Sequence, residues 1–280
     1  MPDVQPFQAP TTNAASSQAG YALITGASSG IGAALAREYA RRGKPLLLVA
    51  RRADRLEAMM RELGAHVPCQ AIVADLSVRA APQAVFAEAR ARGLQVDTLV
   101  NNAGYGVPGR FLSSDWKTHA DFLQVMVAAV AELTHLFLPD MEARGHGRIL
   151  NVASTAALVP ASAGHTLYGA SKAFVIAFSE SLALESKPRG VHVTALCPGM
   201  TYTEFHDVNG MRERVSRLPK SLWLDADTVA RLGIDALERG DLRCVPGAMN
   251  RLIVGMSKYL PDRLARAIVN RRAADYRNAD

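Results

Sequence analysis

A chain of 280 residues, 49% apolar and 21% charged, suits one globular domain, or one with a small appendage, that folds alone. Cys69, Cys197 and Cys244 stand far apart with no Cys-x-x-Cys pair, which argues against a disulfide framework and a zinc site, so no metal is expected and a reducing cytoplasm fits best. The net charge of +6 sits on scattered arginines rather than an aromatic-interleaved stripe, so attraction to anionic small molecules is expected and nucleic-acid binding is not.

Residues Met1 to Ala19, rich in Pro, Gln, Ala, Ser and Thr with no basic start or apolar run, read as a disordered tail and not as a signal peptide. Strands are predicted at Tyr21 to Thr25, Pro45 to Val49, Cys69 to Ala74, Thr98 to Asn101, Arg148 to Ala153, Val191 to Leu196 and, weakly, Leu242 to Val245. Helical patterns fill the gaps and are punctuated at Gly43, Gly93, Gly145, Gly190 and Gly240. Unbroken apolar strands such as Leu46-Leu47-Leu48-Val49 require burial on both faces, so the expected class is α/β: one doubly wound domain, residues 20–246, with a seven-stranded parallel sheet. The most apolar long stretch, Val125 to Leu138, is broken by Glu132, Thr134 and His135, and no transmembrane segment is expected.

The first strand runs into Thr25-Gly26-Ala27-Ser28-Ser29-Gly30-Ile31-Gly32 and then a helix, Ala33 to Arg42. Gly26 can take a tight turn, Gly30 admits close backbone approach to a pyrophosphate, and Gly32 lets helix pack on strand, while the helix start offers free amides to anionic oxygens. Dinucleotide binding through Gly26, Ser28, Ser29, Gly30, Ile31 and Gly32 is expected; the alternative is a merely tight turn. After the second strand, Val49 and Ala50 lack the acidic residue that suits ribose hydroxyls, and Arg51 and Arg52 follow. A guanidinium binds a 2′-phosphate that a carboxylate would repel, so NADP(H) is favoured over NAD(H); the alternative is two solvated arginines. Further on, Tyr168 and Lys172 are four residues apart on one helical face, where an ammonium can favour the phenolate and make the phenol a proton donor or acceptor near neutrality. Taken alone, that spacing also fits a solvated helix face.

In order and separation these motifs resemble the short-chain dehydrogenase/reductase family over Tyr21 to Val245. Thr25 to Gly32 resembles its Thr-Gly-x-x-x-Gly-x-Gly turn, Asp75-Leu76 its adenine-contacting pair, and Asn101-Asn102-Ala103-Gly104 its Asn-Asn-Ala-Gly stretch. Asn151-Val152-Ala153-Ser154 resembles the strand carrying the catalytic Ser, Tyr168 to Lys172 the Tyr-x-x-x-Lys element, and Cys197-Pro198-Gly199 with Thr203 the loop that closes over nicotinamide. The resemblance implies a Rossmann fold and an NADP(H)-dependent oxidoreductase that moves a hydride between nicotinamide and a small-molecule carbonyl or secondary alcohol. It implies Tyr168 as acid/base, Ser154 holding the substrate oxygen, and Lys172 lowering the phenol pKa while binding the nicotinamide ribose. Asn102 with the amides of Ala103 and Gly104 would line the adenosine and ribose, Asp75 would accept from the adenine amine, and Pro198, Gly199 and Thr203 would cover the nicotinamide. Relatives commonly form homodimers or homotetramers. The alternative reading of Asp75 is a turn-starting residue after a strand.

Two departures from the family pattern stand out. By the resemblance, Met126 falls where the family carries an Asn that supports a water in its proton relay, which leaves open a cofactor-binding regulatory or low-activity protein; the alternative is that Met126 is core filler on a buried helix. Ser154 lies fourteen residues before Tyr168 where many relatives show thirteen; Thr155 restores the count, but Ser154 fits the strand phase set by Asn151. The extra residue is expected in Pro160 to His165, with His165 a pocket-bordering residue rather than a second acid, and Cys197 is read as a buried small hydrophobe rather than a nucleophile. Substrate identity is expected to reside in a basic amphipathic lid, Glu204 to Trp223, and in the extension 247–280; the alternative for the first segment is a surface helix with an ordinary charged face. That extension reads as an amphipathic helical hairpin over Met249 to Val269, open to packing on a partner subunit, closing the pocket or lying on a membrane surface, with membrane contact the least favoured.

Overall fold

The structure, a computed structural model, describes residues 20–161, 163–164, 166–203 and 222–260. The expectations for the N-terminal tail, His165, the lid segment 204–221 and residues 261–280 lie outside the described residues.

Strands and helices alternate from the start. They run β1 (Tyr21–Thr25), α1 (Gly30–Arg41), β2 (Leu46–Ala50), α2 (Ala53–Leu63), β3 (Cys69–Val73), α3 (Ala81–Ala91) and β4 (Val96–Asn101). After a 3-10 turn at Phe111–Ser113, α4 (Trp116–Leu123) passes through a π-helical turn (Gln124–Ala128) into α5 (Ala129–Ala143). Then come β5 (Gly147–Val152), α6 (Thr166–Ser186), β6 (Val191–Leu196), β7 (Met200–Tyr202), β8 (Trp223–Asp225), α7 (Ala226–Arg239), β9 (Arg243–Cys244) and α8 (Ala248–Tyr259).

Seven strands form one parallel sheet in the order β3-β2-β1-β4-β5-β6-β9, as expected of a doubly wound fold. Alternation along each strand feeds two cores. Ala22, Ile24, Leu46 and Leu48 pack with α1, α2 and α7 on one face, and Leu23, Leu47 and Val49 pack with α3, α5 and α6 on the other. The run Leu46-Leu47-Leu48-Val49 is essentially unexposed, so each side chain contributes on the order of 1.5–3 kcal/mol of apolar burial.

Strand ends differ from the sequence reading for local reasons. β2 starts after Pro45, which has no N–H and contributes only its carbonyl, accepting from Ala22 N at 2.8 Å. The seventh strand contracts from the expected Leu242–Val245 to Arg243–Cys244, an edge pairing that stops just before Pro246. A second, two-stranded sheet of β7 and β8 was not anticipated, and it takes Trp223, expected at the end of the lid, into a strand opposite Met200. The segment Trp116–Ala143 is long and apolar enough by length and composition to cross a membrane. Here Val125, Met126, Leu133, Phe137 and Met141 are buried, and all but Met126 belong to the core beneath β1, β4 and β5.

Candidate active site

Strand order reverses between β1 and β4, and the turns leaving these two strands face each other across the crevice where doubly wound folds bind ligands. One hydroxyl couples them. Thr25 Oγ1 accepts from the backbone amides of Asn102 and Ala103, both at 3.0 Å, and donates to Val100 O at 3.3 Å. The Asn102 side-chain amide donates to Thr25 O at 2.9 Å and to Gly26 O at 3.3 Å. Asn102 therefore fixes the shape of the glycine turn, and the Ala103 amide, expected along the adenosine, is spent on Thr25.

The turn itself demands glycine. Gly26 sits at φ 65° and Gly30 at φ 55°. A Cβ on Gly32 would lie 2.3 Å from Gly26 O and 2.4 Å from Asn102 Nδ2. α1 begins at Gly30 with no side-chain cap from Ser29 and no acidic residue in its first turn, leaving its leading amides and positive dipole end for an anion. A glycine-rich turn with free amides at a helix start fits the pyrophosphate of a dinucleotide. Thr203 stands across the turn, 3.2 Å from where a Cβ of Gly30 would be, so the loop after β7 returns over it.

Arg52 donates from Nη2 to Ser28 Oγ at 3.2 Å, which brings a guanidinium to the glycine turn. Arg51, mostly exposed, lies 3.9 Å from Asp75. Asp75 Oδ1 also accepts from Ser77 N at 2.9 Å and Ser77 Oγ at 2.8 Å, so the turn-starting geometry is realised. Partial burial works to raise its pKa, but the Ser77 hydrogen bonds and Arg51 outweigh it and hold the carboxyl below its ordinary value. Leu76 is buried in the core.

On the other side of the crevice, Ser154, Tyr168 and Lys172 come together. Ser154 caps a 3-10 turn (Thr155–Ala157), its Oγ accepting from Ala156 N at 3.1 Å, and it hydrogen-bonds the Tyr168 hydroxyl. Thr155 follows it in the turn, and its amide donates to Pro198 O at 2.9 Å, tying this turn to the Cys197-Pro198-Gly199 loop. Lys172, 6% exposed, donates from Nζ to Val152 O at 2.7 Å and lies 5.8 Å from the Tyr168 ring centroid. Burial lowers the Lys172 pKa to about 8. Burial also raises the Tyr168 pKa, with the Ser154 hydrogen bond opposing it, so the phenol moves in the direction opposite to the expected lowering by Lys172. At the phenol, burial outweighs the Ser154 hydrogen bond.

Met126 lies in the π-helical turn, 1% exposed, with its Sδ 2.9 Å from the position of a Cβ on Gly104. A thioether thus fills the space against the Asn-Asn-Ala-Gly stretch. Cys197 is fully buried among Ala153, Val175 and Ile176, and burial pushes its thiol to about 12, as fits a small hydrophobe.

The roles of several supporting residues escaped the sequence reading. Asn101 donates to Asn151 Oδ1 at 2.9 Å and to Thr134 Oγ1 at 3.1 Å, and Asn151 donates to Ser179 Oγ at 2.9 Å, pinning β4, β5, α5 and α6 together beneath the site. Asn250 of α8 packs so closely on Gly199 that a Cβ there would lie 2.4 Å from Asn250 Oδ1. The available signal was polar residues inside otherwise apolar strands at Asn101 and Asn151.

A family model described as short chain dehydrogenase matches residues 20–213. The oxidoreductase UcpA of Salmonella typhimurium is 38% identical over 183 residues, spanning 65% of this chain and 69% of that protein. A solved short-chain dehydrogenase from Sphingobium yanoikuyae in complex with NADPH is 32% identical with a TM-score of 0.75, covering 86% of this chain and 96% of the other. A bulky-bulky ketone specific alcohol dehydrogenase from Comamonas testosteroni is 29% identical with a TM-score of 0.70, covering 86% and 95%.

Proposed function

The chain belongs to the short-chain dehydrogenase family, and from that premise we propose that it is an NADP(H)-dependent carbonyl reductase or alcohol dehydrogenase working in the cytoplasm on a small-molecule carbonyl or secondary alcohol. Membership makes it an oxidoreductase with a nicotinamide-binding fold; the substrate class, the cofactor preference and the residue roles are our reading. The observation that carries it is the convergence of Ser154, Tyr168 and Lys172 beside the loop Pro198–Gly199.

The cofactor, when bound, supplies or accepts the hydride. Tyr168 Oη donates a proton to the carbonyl oxygen in reduction and takes one from the hydroxyl in oxidation, and Ser154 Oγ holds that same oxygen. A phenol raised by burial is protonated at neutral pH and is ready to act as the acid of the reductive direction. Lys172, at about 8, exchanges its proton near neutrality and can resupply the phenol's side of the pocket. Gly26, Ser28, Ser29, Gly30, Ile31 and Gly32 hold the pyrophosphate; Thr203 closes over the turn. Arg51 and Arg52 take the 2′-phosphate, supported by the Arg52–Ser28 contact and by the NADPH in the Sphingobium yanoikuyae relative.

Residues 20–246 act as one catalytic domain with 247–280 as an extension, and a homodimer or homotetramer is supported by Phe174 and Leu184 exposed on α6. The buried Met126 favours a second reading, a cofactor-binding regulatory protein with an impaired proton relay. Fluorescence titration with NADPH and NADH, followed by turnover on a panel of ketones, aldehydes and secondary alcohols, separates the two. Tyr168→Phe should cut turnover by roughly 10²–10⁴-fold while cofactor binding persists. Cofactor binding with no turnover on any panel member, by either the parent or Met126→Asn, would support the regulatory reading.

A further inference from the structure

We propose that the exposed apolar face of α8 docks the protein on an anionic phospholipid surface. α8 has two faces with different partners. Asn250 donates to Pro246 O at 2.9 Å and abuts Gly199, and Ser257 donates to Leu158 O at 3.1 Å, so this side of the helix is fastened to the body. Leu252, Met256 and Tyr259 are turned from Ser257 by roughly 100–160° around the helix axis. They are 55%, 53% and 85% exposed and, with Met249 and Ile253, form a stripe at spacings of three and four.

Charge identifies the occupant. The charged residues of α8, Arg251 and Lys258, are both basic. From residue 248 to 280 the sequence carries seven basic residues against three acidic ones, four of the six net positive charges of the whole chain. An apolar stripe with an aromatic at its end, flanked on one side by Arg251 and Lys258 and carried by a net basic stretch of sequence, matches the boundary of a bilayer rich in anionic headgroups. A second copy would bring its own positive extension to the contact and repel it. Because α8 is fastened at Leu158 and Gly199, a membrane-bound α8 lies beside the Pro198–Gly199 loop that borders the candidate active site. The inference rests on α8 and on charge, not on the catalytic reading.

The full-length chain is sedimented with vesicles of phosphatidylcholine alone or mixed with phosphatidylglycerol. Binding is expected to the mixed vesicles and not to phosphatidylcholine alone. The double variant Leu252→Asp with Met256→Asp should lose at least tenfold in binding. Arg251→Glu with Lys258→Glu, which leaves the stripe intact, should lose about fivefold per charge. Circular dichroism and melting temperature report whether each variant is folded; should the first unfold, the charge pair decides alone. Absence of parent binding to mixed vesicles overturns the proposal, as does binding that both folded variants keep. Dimerisation seen by light scattering and abolished by Leu252→Asp with Met256→Asp, without vesicle binding, would instead make the stripe an interface between copies.

Discussion

Lys172 shows how a single buried residue couples function to stability. Its pKa is about 8 in the folded chain against 10.5 for the ordinary side chain. Between these values the unfolded chain holds the proton more readily, so stability from this residue is greatest above pH 10.5 and is lost as pH falls towards 8. The urea-denaturation stability of the parent minus that of Lys172→Met should rise by about 3 kcal/mol across that window; the buried thiols Cys69, Cys197 and Cys244, raised from 9.0, favour the unfolded chain above pH 9 in both proteins and cancel in the difference. Arg51 and Arg52 give a second test at the same scale. Each charge-assisted bond to a phosphate is worth about 1.5–3 kcal/mol, so Arg51→Ala with Arg52→Ala should weaken NADPH by at least tenfold relative to NADH in fluorescence titration. If the ratio is unmoved, the 2′-phosphate is held elsewhere. That Ser154, Tyr168 and Lys172 would come together was implied by the family resemblance, since the Tyr168–Lys172 spacing alone also fits a solvated helix face. The direction of the phenol shift was not legible in the sequence, because it depends on burial, which spacing does not report.

At the scale of elements, the glycine turn and the start of α1 work as one piece with the turn after β4. Gly32→Ala would drive a Cβ into Gly26 O at 2.3 Å, a backbone atom that cannot rotate away. The expected cost is about 1–3 kcal/mol, seen as a lower melting temperature together with weakened NADPH binding. Unchanged melting would mean that helix and strand are not held this close. The strand-turn-helix order of this unit was readable because Gly and apolar runs are local signals. Asn102 as its fastener was not readable, since Asn102 and Gly26 are 76 residues apart in sequence. The β7–β8 pair was equally hidden. Three-residue strands carry too little periodicity to be seen, and Met200 meets Trp223 only through the fold.

For the whole molecule, a cofactor that binds only the folded chain must stabilise it. At a hundred times its dissociation constant the gain is about 2.7 kcal/mol, so NADPH should raise the melting temperature by roughly 5–10 °C, and NADH at the same concentration by less. Equal shifts would remove the NADP(H) preference. The helix Trp116–Ala143 shows why composition needs the fold beside it: its apolar length satisfies a membrane span, yet Val125, Leu133, Phe137 and Met141 cover the sheet. By itself the sequence determined the alternation of strands and helices, the parallel sheet and the family, because apolar period, glycine punctuation and motif order are written locally along the chain. Only the tertiary structure decided that Leu76 faces the core, that Asn101 and Asn151 bind four elements beneath the site, that Met126 presses on Gly104, and that α8 turns its apolar stripe outward. Each of these depends on what residues distant in sequence bring alongside, and burial and contact exist only once the chain has closed around them.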